Sequence, residues 1–222
     1  MALTVVCWLW GDKYTDEHVT RMASMAARHL PPHRFVCIAD RGIDGVDTLI
    51  YKGRVFPRSA GYGVSGNCLR RLWLFSPEAR EILGDEILQI DLDMILLAPV
   101  EMPAEPFKIW KCPSKGVRKF AYNPSFMYVR GDAIPGLWEN FLAFPRRTWL
   151  KARRAGWTGN DQAVICHAVQ DMNVPVWDEA DGFYSFRDHG CELQPGAKIV
   201  GFYDAFDPAS ETALPWVAEN WR

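Results

Sequence analysis

The chain has 222 residues, 49% of them hydrophobic, and a formal net charge of −2. That is enough to bury one substantial core, and too nearly neutral for a protein whose main surface neutralises the phosphates of a nucleic acid. No apolar run reaches the ~20 residues of a bilayer span, and the N-terminus enters a strand-like run with no charged leader, so the expectation is a soluble, cytoplasmic chain, at most peripheral to a membrane.

In chain order, Leu3 to Trp10 is a β-branched and aromatic run that reads as a buried strand ending at Gly11-Asp12-Lys13-Tyr14. Thr15 is placed to cap a helix with an acidic first turn. Val19, Met22, Ala23, Ala26, Ala27 and Leu30 keep helical spacing until Pro31-Pro32 stop it. Arg34 to Ala39 is a second buried strand, so the opening forty residues form a βαβ unit. Its turn residues Asp12 and Asp40 either face a nucleotide crevice or are plain turn formers. A third short strand is expected from Asp47 to Tyr51, then a glycine-rich loop from Gly53 to Gly66 that lacks the Lys-Ser/Thr ending of a triphosphate-binding loop. The helix that follows, from about Gly66 to Phe75, presents Arg70 and Arg71, whose forked guanidinium suits a diphosphate or an ordinary salt bridge to Glu78 or Glu81.

The stretch of greatest chemical interest is Ile87-Leu88-Gln89-Ile90-Asp91-Leu92-Asp93-Met94-Ile95-Leu96-Leu97. On an extended strand Asp91 and Asp93 share a face, and two carboxylates so close among apolar neighbours repel each other and lose hydration. An isolated Asp-x-Asp carries little weight and can be a solvated turn. A hydrophobic strand running into it marks the edge where open α/β sheets place ligands, and a divalent cation with a phosphate is the usual way to relieve the repulsion. The six cysteines form no Cys-x-x-Cys pair and no zinc-spaced cluster. Free thiols in a reducing compartment are expected.

Five segments in order resemble GT-A-type glycosyltransferases, in particular the glycogenin-like and lipopolysaccharide-galactosyltransferase-like group, over nearly the whole chain. They are Trp8-Leu9-Trp10-Gly11-Asp12-Lys13-Tyr14; Asn67-x-x-Arg70 with Leu72-Trp73-Leu74-Phe75; Leu88-Gln89-Ile90-Asp91-Leu92-Asp93; Tyr122-Asn123-Pro124-Ser125-Phe126-Met127-Tyr128-Val129; and Gly159-Asn160-Asp161-Gln162. The resemblance implies an α/β fold, a single GT-A-like domain with a Rossmann-like mixed central sheet flanked by helices. It also implies a nucleotide- and metal-binding half over residues 1–97 and a donor-sugar and acceptor half over 98–222.

By the same resemblance, Asp93 ligates Mn²⁺ or Mg²⁺, and Asp91 meets the ribose or a metal-bound water. Arg70 would neutralise the departing diphosphate, and Asp12 and Tyr14 would hold base and ribose. Asn123 and Gln162 would bind donor-sugar hydroxyls, and Asp161, opening a helix to about Gln170, would lie near the anomeric carbon. The implied activity is metal-dependent sugar transfer from a nucleotide sugar, a UDP-sugar first, to a glycan, lipid-linked or protein acceptor, with retention. One position departs from the pattern. The group's C-terminal segment carries a metal-ligating His, and Lys198-Ile199-Val200-Gly201-Phe202-Tyr203-Asp204 has Gly201 there. Asp204 is the expected substitute, with Asp207 and His189 as further candidates. Gly201 keeps an inactive sugar- or nucleotide-binding module open as an alternative, and a haloacid-dehalogenase-type phosphatase is a third reading.

From Arg146 to Trp157, Arg146, Arg147, Lys151, Arg153 and Arg154 are interleaved with Trp149, Leu150 and Trp157. This is either a solvated helix face or a segment that meets an anionic acceptor or membrane surface. Pro215 to Trp221 is expected to be a short helix packing its tryptophans on the sheet.

Overall fold

The first strand, β1 (Leu3–Leu9), is buried along its whole length, and the rest of the fold is arranged on its two faces. The computed structural model describes residues 2–56, 66–111, 122–203 and 205–222. Most of the expected glycine-rich loop, together with Cys112 and Asp204, lies outside the described residues. Leu3, Val5, Cys7 and Leu9 point to one side, against Val19, Met22, Met25 and Ala26 of helix α1 (Asp16–His29). Val6 and Trp8 point to the other, where they meet Trp73 and Leu72. A strand covered on both faces is apolar almost throughout, and the one polar member of β1, Thr4, donates its hydroxyl to Leu83 O at 2.5 Å.

Helix α1 starts where expected. Thr15 lies at its N-cap, and the Thr15 backbone N–H donates to Nδ1 of His18 at 3.2 Å. β2 (His33–Ala39) pairs parallel with β1, and β3 (Thr48–Ile50) parallel with β2. The expected helix after the glycine-rich loop is a 3₁₀ helix, Gly66–Phe75, followed by α2 (Pro77–Leu83), whose N-cap Ser76 hydroxyl accepts from Ala79 N–H at 2.9 Å. β4 (Glu86–Ile90) then enters beside β1 in parallel.

The apolar run 87–97 is not one strand. β4 ends at Ile90, Asp91 to Asp93 turn, and β5 (Met94–Leu96) belongs to a second sheet. Backbone pairing explains the break: Asp91 N–H donates to Ser125 O at 2.8 Å in the large sheet, whereas Asp93 O accepts from Phe202 N–H at 2.7 Å beside the small one. The two carboxylates therefore do not share a strand face, as continuous extended backbone would have required.

The second half adds β6 (Phe107–Lys111), β7 (Tyr122–Arg130), α3 (Leu137–Ala143), α4 (Pro145–Arg154), α5 (Asp161–Ala168), β8 (Val176–Trp177), β9 (Phe183–Ser185), β10 (Ile199–Gly201) and α6 (Pro215–Asn220). The large sheet runs β3-β2-β1-β4-β7-β6-β8 and the small one β5-β10-β9, with β7 antiparallel to both β4 and β6. Because β7 runs backwards, its first residues lie beside the C-terminal ends of β1 and β4, where ligands of open α/β sheets sit. Trp216 and Trp221 of the C-terminal segment pack inward as expected, Trp216 against Phe186 and Phe202, Trp221 against His18.

The two sheets are joined by aromatic rings. Phe126 of β7 lies 4.8 Å from Trp177 and 5.1 Å from Phe183, and Trp177 stacks on Phe183 at 5.5 Å. Phe183→Ala empties the centre of this contact and is expected to destabilise the fold by about 3–5 kcal/mol in a chemical denaturation series, with little change in the denaturant slope.

Candidate active site

The C-terminal edge of the large sheet gathers acidic and basic side chains from four separate stretches of chain. Asp91 leaves the end of β4 with its carboxylate fully engaged. Oδ1 accepts from Gln89 Nε2 at 2.9 Å and from Arg71 Nη1, and Oδ2 accepts from the Ser125 hydroxyl at 2.8 Å. Arg71 also places Nε 2.7 Å from Oδ2 of Asp161, the first residue of α5. That contact is ionic but not aligned as a hydrogen bond, and both atoms are buried with no hydrogen-bond partner.

One guanidinium thus sits between two carboxylates. Burial alone would lower the Arg71 pKa, but Asp161 and Asp91 outweigh it and hold the pKa well above its ordinary value. Burial raises the Asp161 carboxyl, Asp91 adds to that rise, and Arg71 opposes it. Replacing Arg71 by Met leaves two carboxylates in the interior without their counter-charge. The expected loss is about 3–5 kcal/mol of stability, read from urea unfolding, with part of it recovered when Asp161→Asn is added.

Asp93 has a different set of neighbours. It is buried, its Oδ2 accepts from Tyr14 OH at 2.6 Å and from Lys13 Nζ at 3.3 Å, and Oδ1 takes no side-chain partner among the described residues. Burial, then the charge of Asp91, push its pKa up to about 6 against the pull of Lys13 and Tyr14. Tyr14 is itself raised, by burial and by Asp93, so its hydroxyl stays a donor. Behind Tyr14, His18 accepts at Nδ1 from Thr15 N–H, which leaves Nε2 to donate to Asp207 Oδ1 at 3.1 Å.

The expected site residues fall into two groups. Tyr14, Asp91, Asp93 and Asp161 converge. Asp12 is exposed on the loop after Gly11. Arg70 lies over the Trp10 ring at 4.6 Å and near Tyr51 at 5.8 Å, so the member of the Arg doublet that reaches Asp91 is Arg71. Asn123 Oδ1 accepts from Ser125 N–H at 3.0 Å, and Gln162 Nε2 donates to Tyr122 O at 2.6 Å, so both side chains order the start of β7 beside Asp91. Asp204 lies outside the described residues, Asp207 is bound to His18, and His189 pairs with Glu179. Gln89 and Ser125 are the members that residue-by-residue reading passes over, and Arg71, expected beside Arg70 to meet a diphosphate or Glu78 or Glu81, pairs with Asp91 and Asp161 instead. Gln89 carried a signal, since an amide in the middle of a buried strand needs a polar partner.

Asp93, with Oδ1 unengaged and its pKa raised by burial and then by Asp91, is the hard oxygen donor that fits a divalent cation, while Asp91, held by Arg71, Gln89 and Ser125, would meet it through a bound water. Among the described residues no three His, Cys, Asp or Glu side chains gather as a ligand cluster. Gly201 contributes none, and the reason is packing. A Cβ there would lie 2.5 Å from Cη2 and 2.7 Å from Cζ3 of Trp110, itself 1% exposed. Gly201→Ala is expected to cost about 1–3 kcal/mol, seen as a lower Tm, and Trp110→Leu in the same chain should reverse part of that effect relative to Trp110→Leu alone.

No protein-family model and no curated protein sequence matches the chain. Solved structures do. The galactosyltransferase LgtC, crystallised in complex with donor and acceptor sugar analogues, superposes with a TM-score of 0.62 at 12% identity, covering 98% of this chain and 96% of LgtC. The chain has a GT-A-like fold. A second neighbour is the apo-form glycosyltransferase GlyE of Streptococcus pneumoniae TIGR4, with a TM-score of 0.61 and 12% identity; the match covers 100% of this chain and 61% of GlyE. In the GT-A frame the expected single-domain architecture holds, with a mixed sheet flanked by helices.

Proposed function

We propose that this chain is a glycosyltransferase that takes its donor as a nucleotide sugar, a UDP-sugar first, and works with Mn²⁺ or Mg²⁺. The observation that carries the reading is the Asp91–Arg71–Asp161 bridge set beside Asp93 at the C-terminal edge of a GT-A-like sheet. A site of that kind offers a rigid, fully paired frame beside a buried carboxylate, Asp93, that is open to a cation.

The hardest part of sugar transfer from such a donor is the accumulation of charge on the leaving diphosphate as the anomeric bond lengthens. Asp93 would hold the cation, with Asp91 meeting the ribose or a metal-bound water, and the cation when bound supplies Lewis-acid stabilisation of the diphosphate oxygens. Lys13, beside Asp93 and half exposed, would add a mobile positive charge on the same side. Arg71, fixed from both ends, would keep Asp91 and Asp161 in place without reorganisation during the reaction. Asp161 would lie on the donor-sugar side, with Asn123 and Gln162 shaping the β7 start beneath it. Asp12 and Tyr14 would hold base and ribose, and Arg70, over the rings of Trp10 and Tyr51, would lie beside them. Retention of configuration, and a glycan, lipid-linked or protein acceptor, complete the proposal.

Gly201 favours a second reading, a nucleotide- or sugar-binding module without turnover. Thermal unfolding with UDP and GDP, each with and without Mn²⁺, addresses both. The transferase reading expects cation-dependent stabilisation by one nucleotide, about 2–3 kcal/mol at a hundredfold excess over Kd, removed by Asp93→Asn. It further expects turnover of a nucleotide sugar that falls on the order of 10²–10³-fold in the same variant. Stabilisation without turnover selects the binding module, and no response to any nucleotide ends both.

A further inference from the structure

Helix α4 carries five basic residues within nine positions. Arg146, Arg147, Lys151, Arg153 and Arg154 are all exposed, segment 144–157 contains no acidic residue, and none of the five is in an ion pair among the described residues. With 3.6 residues per turn, these five and Leu150 occupy roughly half of the helix circumference, while the buried Pro145 and Ala152 face the body of the protein. The charged face is therefore continuous, with a leucine in its middle.

Apolar side chains adjoin it. Phe144, immediately before the helix, is 60% exposed and Leu142 is 43% exposed, and Arg147 lies 5.9 Å from the Phe144 ring. Between α3, α4 and α5 runs an open groove of about 580 Å³ with Leu137 and Val164 on its floor and Phe144, Arg147, Lys151 and His167 around it. A solvated helix has no use for an exposed phenylalanine, and a surface for nucleic-acid phosphates needs the charge but not the aliphatic residues. Charge beside an exposed phenylalanine, with Leu142 exposed two residues before it, suits a boundary between anionic headgroups and acyl chains.

We infer that α4, with Phe144 and Leu142, docks this protein on a bilayer surface rich in anionic phospholipid. The basic side chains meet the headgroups while Phe144 and Leu142 enter the acyl boundary. α4 is tied to the candidate active site, because Trp149 Nε1 donates to Gly159 O at 3.2 Å, two residues before Asp161. Docking would hold the α5 end of the site next to the lipid surface, where a lipid-linked acceptor would be found. The docking surface stands apart from the transferase reading, since a chain that bound no nucleotide would still carry it.

The test is co-sedimentation of the full chain with vesicles of phosphatidylcholine alone and of phosphatidylcholine mixed with phosphatidylglycerol, at low and high salt. The native chain should partition onto the mixed vesicles on the order of a thousandfold above the neutral ones, as expected for five basic residues at about fivefold each. The variant R147Q/K151Q/R154Q, altered only at exposed positions, should lose that preference by on the order of a hundredfold, about fivefold per charge. Phe144→Ser should keep the low-salt binding and lose the part that survives high salt. Absence of retention on mixed vesicles overturns the inference. So does retention unchanged in the triple variant. Equal behaviour of native and Phe144→Ser chains, with heparin displacing both, would show a generic polyanion surface and also overturn it. Melting curves of each variant matching the native curve establish that the fold is intact.

Discussion

A single buried cation holds the candidate site together. Arg71 stands between Asp91, at the end of a sheet strand, and Asp161, at the start of a helix that packs on the other half of the chain. Neither carboxylate is stable there alone, because removal from water without a counter-charge costs several kcal/mol per ion. The guanidinium suits the place better than an ammonium would, since its fork reaches two acids in different directions at once. The entry of α5, the end of β4 and the 3₁₀ helix are consequently fixed relative to one another by one side chain.

Asp91 and Asp93, two residues apart, play different parts because the backbone changes sheets between them. Asp91 remains within the hydrogen-bonding frame of β4 and β7 and is saturated by Arg71, Gln89 and Ser125. Asp93, already at the small sheet, meets only the half-exposed Lys13 and the phenol of Tyr14, and burial first and Asp91 second raise its pKa. One carboxylate is thus a strut and the other an open ligand. The same small sheet brings Gly201 next to Met94, and Trp110 fills the space that a side chain at 201 would need. The departure at Gly201 and the tryptophan are two aspects of one packing solution.

The basic helix α4 belongs to the same mechanical unit. Its inner face is packed on the helices around α5, and its Trp149 anchors the loop that leads to Asp161. A contact made on the outer face of α4 would therefore be made beside the site, not at a remote surface.

The amino-acid sequence alone determined the βαβ opening, the helix from Thr15 to the proline stop, the acidic pair at a strand end, the motif order of a GT-A-like chain and the basic segment. Each of these is written in local periodicity or in neighbouring residues, and the structure places them within a residue or two of the expected bounds. It could not determine that 87–97 divides between two sheets, because an apolar run has the same pattern whether its backbone keeps one partner or exchanges it at Ile90. Nor could it choose between Arg70 and Arg71. Adjacent residues on a tight helix point in different directions, and only the packing of the 3₁₀ helix against β4 and α5 turned Arg71 toward the carboxylates and laid Arg70 on Trp10. The side-chain space at Gly201 was likewise decided by Trp110, ninety-one positions away in the chain, a distance at which only tertiary structure brings two residues together.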